Sequence, residues 1–143
     1  MSEPEATPVQ IRGAIAADIA GLEQFIAPFV EANRLLPRTS EELGQLLTHG
    51  FVAEQDGRIV GFAALEVYSK KMAEIRSLAV DSSQQRSGIG RKLVAACVER
   101  ARQKNVLEVM AITSSEDFFK SCGFDFTLPG EKKALFITPL DGD

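Results

Sequence analysis

Apolar and polar positions change rhythm several times along the chain, and each change marks an element. Residues 1–8 are polar and read as a tail. Residues 9–15 suit a first strand, weakened by Gly13. From residue 16 the apolar positions Ile19, Leu22, Ile26, Phe29 and Val30 recur at helical spacing, with Pro28 expected to kink or end the helix. Residues 33–37, NRLLP, read as a break. Thr39 and Glu42 form a capping box that opens a short second helix stopping at Gly50. His49 falls in its last turn, where a partial positive charge is welcome. Strands follow at residues 51–54 and 58–67, joined across Asp56-Gly57, a dipeptide that favours a tight hairpin. A polar turn at 69–71 leads to a strand at 72–80. Ile89, Leu93, Val94, Cys97, Val98 and Ala101 then share one face of a long helix. A strand at 107–113, a short helix at 117–121 ended by Gly123, and a last strand at 134–138 complete the reading. The order β-α-α-β-β-β-α-β-α-β predicts an α/β (α+β) fold. Its central sheet is mixed, mostly antiparallel and flanked by helices, with a meander and one parallel crossover.

Composition narrows the classes. The chain has 143 residues, which suits one domain over residues 9–140 with tails at 1–8 and 141–143. Sixteen basic and twenty acidic residues leave a net charge of −4, against general nucleic-acid binding, which needs a basic face. No apolar run is long enough to span a bilayer, and the acidic start MSEPEATP has no apolar core of a signal peptide. A cytoplasmic protein with no membrane partner is the expectation. Two cysteines and one histidine suggest neither a metal site nor a disulfide framework. Cys97, on the apolar helix face, reads as core.

The chemistry concentrates at residues 78–91, LAVDSSQQRSGIGR. An apolar strand end, Leu78-Ala79-Val80, enters a polar loop that closes on Gln85, Arg86, Ser87, Gly88, Ile89 and Gly90 as the long helix begins. Glycines let the backbone approach a ligand with no Cβ in the way. The first amides of the helix lack intrahelical partners and make a phosphate site. Arg86, Arg91 and Lys92 oppose the helix dipole there, which an anion between them would explain. The bland alternative is a tight turn opening an ordinary helix. No Gly-Lys-Ser/Thr ending marks a P-loop, and no third glycine marks a dinucleotide fold.

What remains, Gln-x-x-Gly-x-Gly straight after a Leu-Ala-Val strand, resembles the acetyl-CoA pyrophosphate loop of the GNAT N-acetyltransferase superfamily. The resemblance extends over nearly the whole chain and includes a later Phe118-Phe119-x-x-x-Gly123-Phe124. Residues 73–80 (AEIRSLAV), 36–43 (LPRTSEEL) and 118–124 are most similar to the acetyltransferase domain of the N-acetylglutamate synthases, especially short forms without a kinase domain. The resemblance implies acetyl-CoA as co-substrate, no metal, and a pantetheine arm between splayed strands ending at Val80 and Thr113. Leu78, Ala79, Val80 and residues Gln85 to Arg91 would bind acetyl-CoA. Much of the superfamily carries a Tyr general acid where this chain has Phe119; the synthases also carry Phe. Ser77 stands where their strand usually has Cys, and the tail beyond Phe124 is shorter, with Lys132 and Lys133 as its nearby cations.

The implied reaction is attack of a neutral amine on a thioester. An α-amino group has a pKa of ~7.7–8.0, so a carboxylate base helps, and Glu74 is the candidate. Its structural alternative is an ion pair with Arg76, two residues along the same strand face. An amide near Ala79 or Val80 would hold the oxyanion. Thr113, Ser114 or Ser115 are candidates to protonate the leaving thiolate through water, with Tyr68 a weaker one. Arg38, with Arg76 and Ser77, would bind the acceptor, Arg38 by gripping a carboxylate. The expected acceptor is the α-amino group of a small amino acid such as glutamate. Another amine, a protein lysine, or a non-catalytic acetyl-CoA-binding module are the alternatives. An exposed last strand would favour pairing into a homodimer.

Overall fold

A computed structural model of the chain describes residues 7–84, 87–127, 129–131 and 133–140. Five strands form one sheet in sequence order: β1 (Gln10–Gly13), β2 (Gly50–Gln55), β3 (Arg58–Val67), β4 (Met72–Val80) and β5 (Glu108–Met110). The first four run antiparallel as a meander. β5 runs parallel to β4, reached through the crossover helix α3 (Ile89–Gln103). The remaining helices are α1 (Ile19–Glu31), α2 (Ser40–Leu46) and α4 (Glu116–Ser121). This is the mixed sheet flanked by helices that the sequence pattern implies.

Each face of the sheet has its own apolar cluster. On one face Leu22 and Ile26 of α1 and Leu43 and Leu46 of α2 cover Val52, Phe62 and Ala64. On the other, Leu93, Val94 and Cys97 of α3 cover Val60, Ala63, Leu65, Ala73 and Ile75. Each large apolar side chain buried this way contributes about 1.5–3 kcal/mol. Local chemistry agrees. The Thr39 hydroxyl accepts from the Glu42 amide at 3.1 Å, and Glu42 accepts from the Thr39 amide at 2.9 Å, which starts α2. Asp56 and Gly57 both take left-handed backbone angles, φ 53° and 73°, as a tight β2–β3 hairpin requires.

Four expectations need correction. The first strand is shorter than residues 9–15, because the chain bends at Gly13 into a 3-10 turn (Ala16–Asp18). There the nearly buried Asp18 accepts from the Ile15 amide at 2.8 Å and from two nitrogens of Arg12 at 2.9 and 2.8 Å. Arg12 also reaches Glu54 at 2.8 Å, so β1, the turn and β2 share one guanidinium. Pro28 does not end α1, which runs on to Glu31 at the loss of the one ladder bond that its missing N–H would have donated. Residues 134–138 form no strand, and Leu135, Phe136 and Ile137 lie exposed without a described neighbour to pair with. His49 is not a welcome cation: its Nδ1 lies 3.1 Å from an Arg100 nitrogen. Burial, then Arg100 and Lys104, push its pKa down.

A β-bulge in β4 shapes the region of interest. The register passes from Phe62↔Ala79 to Ala64↔Arg76, so Ser77 and Leu78 together face Ala63. Ser77 takes φ 59° to accommodate the extra residue. The bulge also shifts the alternation: Ala73 and Ile75 face α3 before it, Leu78 and Val80 after it.

Candidate active site

β4 and β5 pair only from Met72↔Glu108 to Glu74↔Met110. Past that rung the strands part. The gap opens into a cleft of about 890 Å³ lined by Ile75, Leu78, Ala79 and Val80 of β4 and by Ile112 to Ser115 beyond β5. Its far end is the start of α3, with Gly88, Ile89, Gly90 and Arg91, and its floor includes Phe118 and Phe119. Phe29, Asn33, Arg34 and Leu35, at and after the end of α1, close one side.

The backbone explains what this cleft offers. Asp81 donates its amide to the Val60 carbonyl at 2.8 Å. Amides alternate sides along a strand, so Val80, opposite Gly61, turns its N–H away from β3 and toward the gap left by β5. Ala79, in the next register position, turns its amide to β3 instead. Of the two candidate oxyanion donors, Val80 is therefore the one with a free amide on the cleft side. At the other end, the amides of Gly88, Ile89, Gly90 and Arg91 have no hydrogen-bond partner among the described residues. Gly88 caps α3 with φ 84°, and a Cβ placed on it would meet nothing within 4 Å. That is open space above four unused donors, the arrangement that binds phosphate.

Gly90, which lines the cleft, also serves the packing: a Cβ there would lie 3.3 Å from the Phe118 ring, so its smallness lets α4 sit against α3. Arg91 donates to the Ser121 carbonyl at 2.7 Å and ties the same two helices. Ser87 donates its hydroxyl to the Gln84 carbonyl, closing the turn. Phe119 is buried in an edge-to-face cluster with Phe118 and Phe124 at 5.1 and 5.3 Å. Thr113 accepts from the Ser115 amide at 2.8 Å and keeps its own O–H to donate, and Ser114 is exposed at the cleft.

Glu74 sits at the fork, on the last paired rung, but its side chain leaves the sheet on the α1–α2 face. It is 8% exposed. Tyr68 donates to its Oε1 at 2.6 Å. Arg76 is only 3.7 Å from the same oxygen and pairs more closely with Glu66, at 2.9 Å. The expected Glu74–Arg76 ion pair is thus secondary to two contacts that sequence reading missed. The available signal was the hairpin itself: it sets Glu66 directly opposite Glu74, and Tyr68 two residues on faces the same way. Burial foremost, and the Glu74 bond next, push the Tyr68 hydroxyl up to about 12.

Arg38 precedes the cap of α2, and no hydrogen bond or ion pair links it to Glu74, Arg76 or Ser77 among the described residues. Its Nε is nevertheless buried with no partner. Gln85, Arg86 and Lys132 lie outside the described residues. The fully buried Cys97 has its thiol pushed up to about 12 by burial, as suits core rather than a nucleophile. A second cavity, of about 650 Å³ beneath α1, is lined by Arg12, Asp18 and Glu54, whose charges are already spent on one another. No helix among the described residues is long and apolar enough to cross a membrane.

Residues 20–124 match the model of the acetyltransferase (GNAT) family. The chain belongs to that family. An uncharacterised N-acetyltransferase of Chlorobaculum tepidum is 32% identical over 80% of this chain and 74% of its own length. The amino-acid acetyltransferase of Aeromonas salmonicida is 32% identical over 89% of this chain, which spans only 30% of that longer protein. Among solved structures, the N-acetylglutamate synthase of Neisseria gonorrhoeae, complexed with coenzyme A and N-acetyl-glutamate, superposes with a TM-score of 0.72. It is 29% identical and covers 82% of this chain and 28% of its own. A Mycobacterium tuberculosis protein solved with CoA superposes at 0.76, with 27% identity over 91% of this chain and 76% of its own.

Proposed function

We propose that this GNAT acetyltransferase moves the acetyl group of acetyl-CoA to the α-amino group of a small amino acid such as glutamate. The observation that carries the reading is the parting of β4 and β5 at Glu74↔Met110, over a cleft that runs to the free amides of α3. Acetyl-CoA would lay its pyrophosphate on Gly88 to Arg91 and its pantetheine along Leu78 to Val80. The thioester would then lie at the fork beside Glu74. Relatives named amino-acid acetyltransferase, at 32% identity, support an amino-acid acceptor.

The chemistry follows from these positions. Glu74 takes a proton from the amine, directly or through a water, and the amine nitrogen bonds to the acetyl carbon. The Val80 amide donates to the oxyanion that forms. The C–S bond then breaks. The thiolate, of pKa ~8.5 by analogy with cysteine, takes a proton from a water held by Thr113 or Ser114, and the proton the amine nitrogen has lost replaces it. So weak a base needs no strong acid, which makes Phe119 tolerable. Arg38 would grip the carboxylate of the acceptor; the buried, unpartnered Nε supports this, since an orphaned donor is costly until something accepts from it.

Acetyl-CoA turnover against a panel of amino acids and amines tests the reading. Glu74→Gln should lower kcat by roughly 10²–10⁴-fold with acetyl-CoA binding intact. Arg38→Lys should raise KM for an amino acid and spare an amine without a carboxylate. Equal harm to both acceptors would make Arg38 structural. An acceptor without a carboxylate is the second reading, favoured by the absence of a hydrogen bond or ion pair between Arg38 and the Glu74 cluster among the described residues. For assembly we favour a homodimer, supported by the exposed Leu135, Phe136, Ile137 and Leu140 and by the outer edge of β5, which no described strand covers.

A further inference from the structure

Four polar side chains meet on the α1–α2 face of the β3–β4 hairpin: Glu66, Tyr68, Glu74 and Arg76. Glu66 and Glu74 stand directly opposite each other on neighbouring strands. Two carboxylates so placed repel, and the arrangement holds only if donors separate them. Arg76 is one donor, but it serves Glu66 at 2.9 Å and stays 3.7 Å from Glu74. It also donates to the Tyr68 oxygen at 3.3 Å. Tyr68 in turn donates to Glu74 Oε1 at 2.6 Å, with Glu66 a longer alternative at 3.3 Å. Its one proton goes to the nearer carboxylate. Glu74 Oε2 accepts nothing from any described residue.

We propose that Tyr68 is the positioning residue for Glu74: it ties Oε1 at 2.6 Å and holds Arg76 to the longer contact of 3.7 Å, so that Oε2 remains the oxygen that receives the amine proton. This rests on the reading of Glu74 as the base. The distances decide between Tyr68 and Arg76 as its holder. A full ion pair with Arg76 would fix Glu74 too, but would also spend its charge, and a carboxylate neutralised by a guanidinium is a poorer base. A single neutral hydroxyl orients the group and leaves its charge in place. With its pKa raised to about 12, the phenol stays protonated, and so stays a donor, throughout the range in which an amine acceptor becomes neutral. Tyr68 itself touches no reacting atom. It stands at the end of β3, half-exposed, where the turn to β4 brings it level with Glu74.

The test is a double-mutant cycle of Tyr68→Phe and Glu74→Gln, with kcat, both KM values and calorimetric acetyl-CoA binding measured for each protein. Tyr68→Phe removes one exposed-side hydroxyl and leaves the ring, so unchanged acetyl-CoA affinity certifies the fold. The expected result is a fall in kcat of about 5- to 50-fold for Tyr68→Phe, with KM for acetyl-CoA unchanged. In the Glu74→Gln background the same substitution should cost nothing further, because the group it positions no longer acts as a base. Arg76→Gln placed on Tyr68→Phe should recover part of the lost kcat, since the guanidinium can then no longer capture Glu74. A Tyr68→Phe protein as fast as wild type, while Glu74→Gln is slow, overturns the proposal and leaves the base reading standing. Multiplying losses in the double mutant also overturn it, and give Tyr68 an independent role. A Glu74→Gln protein at full speed removes the base reading itself.

Discussion

Replacing Gly88 by asparagine and by valine separates two demands on one residue. The first is conformational. Gly88 caps α3 at φ 84°, in the left-handed region that L-residues reach at a cost of roughly 1–2 kcal/mol, asparagine with the least penalty and β-branched residues with the most. Unfolding entropy of about 2.1 cal/mol/K per residue makes 1 kcal/mol worth roughly 3 °C in a chain this long. Gly88→Val should therefore lower Tm by roughly 3–7 °C without ligand, and Gly88→Asn by about 1–2 °C or less. The second demand is space. No described residue lies within 4 Å of a Cβ at this position, so neither side chain clashes with the described fold. Both would occupy the space above the free amides of Gly88 to Arg91. Each hydrogen bond to a charged group lost there is worth about 1.5–3 kcal/mol. Two lost bonds weaken binding by roughly 100-fold or more. Isothermal calorimetry with acetyl-CoA and ligand-free thermal unfolding measure the two effects separately. Asparagine should keep Tm and lose affinity; valine should lose both. An asparagine variant that binds acetyl-CoA like wild type would show that the loop is only a turn, and an unshifted Tm for valine would refute the strain argument.

Asp18 gives a pH dependence of known sign. The Arg12 guanidinium, foremost, and the Ile15 amide hold its pKa below the ordinary value, against an opposing push from burial. Its contribution to stability is therefore present above its unfolded pKa of ~3.9 and lost as pH falls through the lower folded value. Wild type should exceed Asp18→Asn in Tm near neutrality, and the gap should close below about pH 4, as scanning calorimetry across pH would record; a gap independent of pH would mean the ion pair adds nothing. Light scattering at rising concentration should give twice the chain mass, and Phe136→Glu should return it to one chain. A monomer at high concentration removes the homodimer reading.

Much of the scaffold was legible in the chain itself, because it rests on local rules. The spacing of Leu93, Val94 and Cys97 dictates one buried helix face whatever the rest does. Asp56-Gly57 carries the hairpin, and Thr39 with Glu42 carries the start of α2, because each acts within four residues. The loop at residues 78–91 was readable for the same reason: strand end, glycines and helix start are contiguous, and free amides at a helix start follow from helix geometry. The structure alone decided what depends on distant partners. Gly90 makes room for Phe118, twenty-eight residues on, and nothing in the loop announces it. His49 meets Arg100, and burial foremost, with Arg100 next, lowers its pKa where the local sequence favours a positive charge. Glu74 was visible as a carboxylate, but its holder is Tyr68 rather than Arg76, since the register of β3 against β4 sets which side chains face each other and the distances between them. The apolar run at 134–138 reads as a strand by composition alone. A strand, however, exists only where a neighbour completes a ladder of hydrogen bonds, and the described residues show no strand at 134–138.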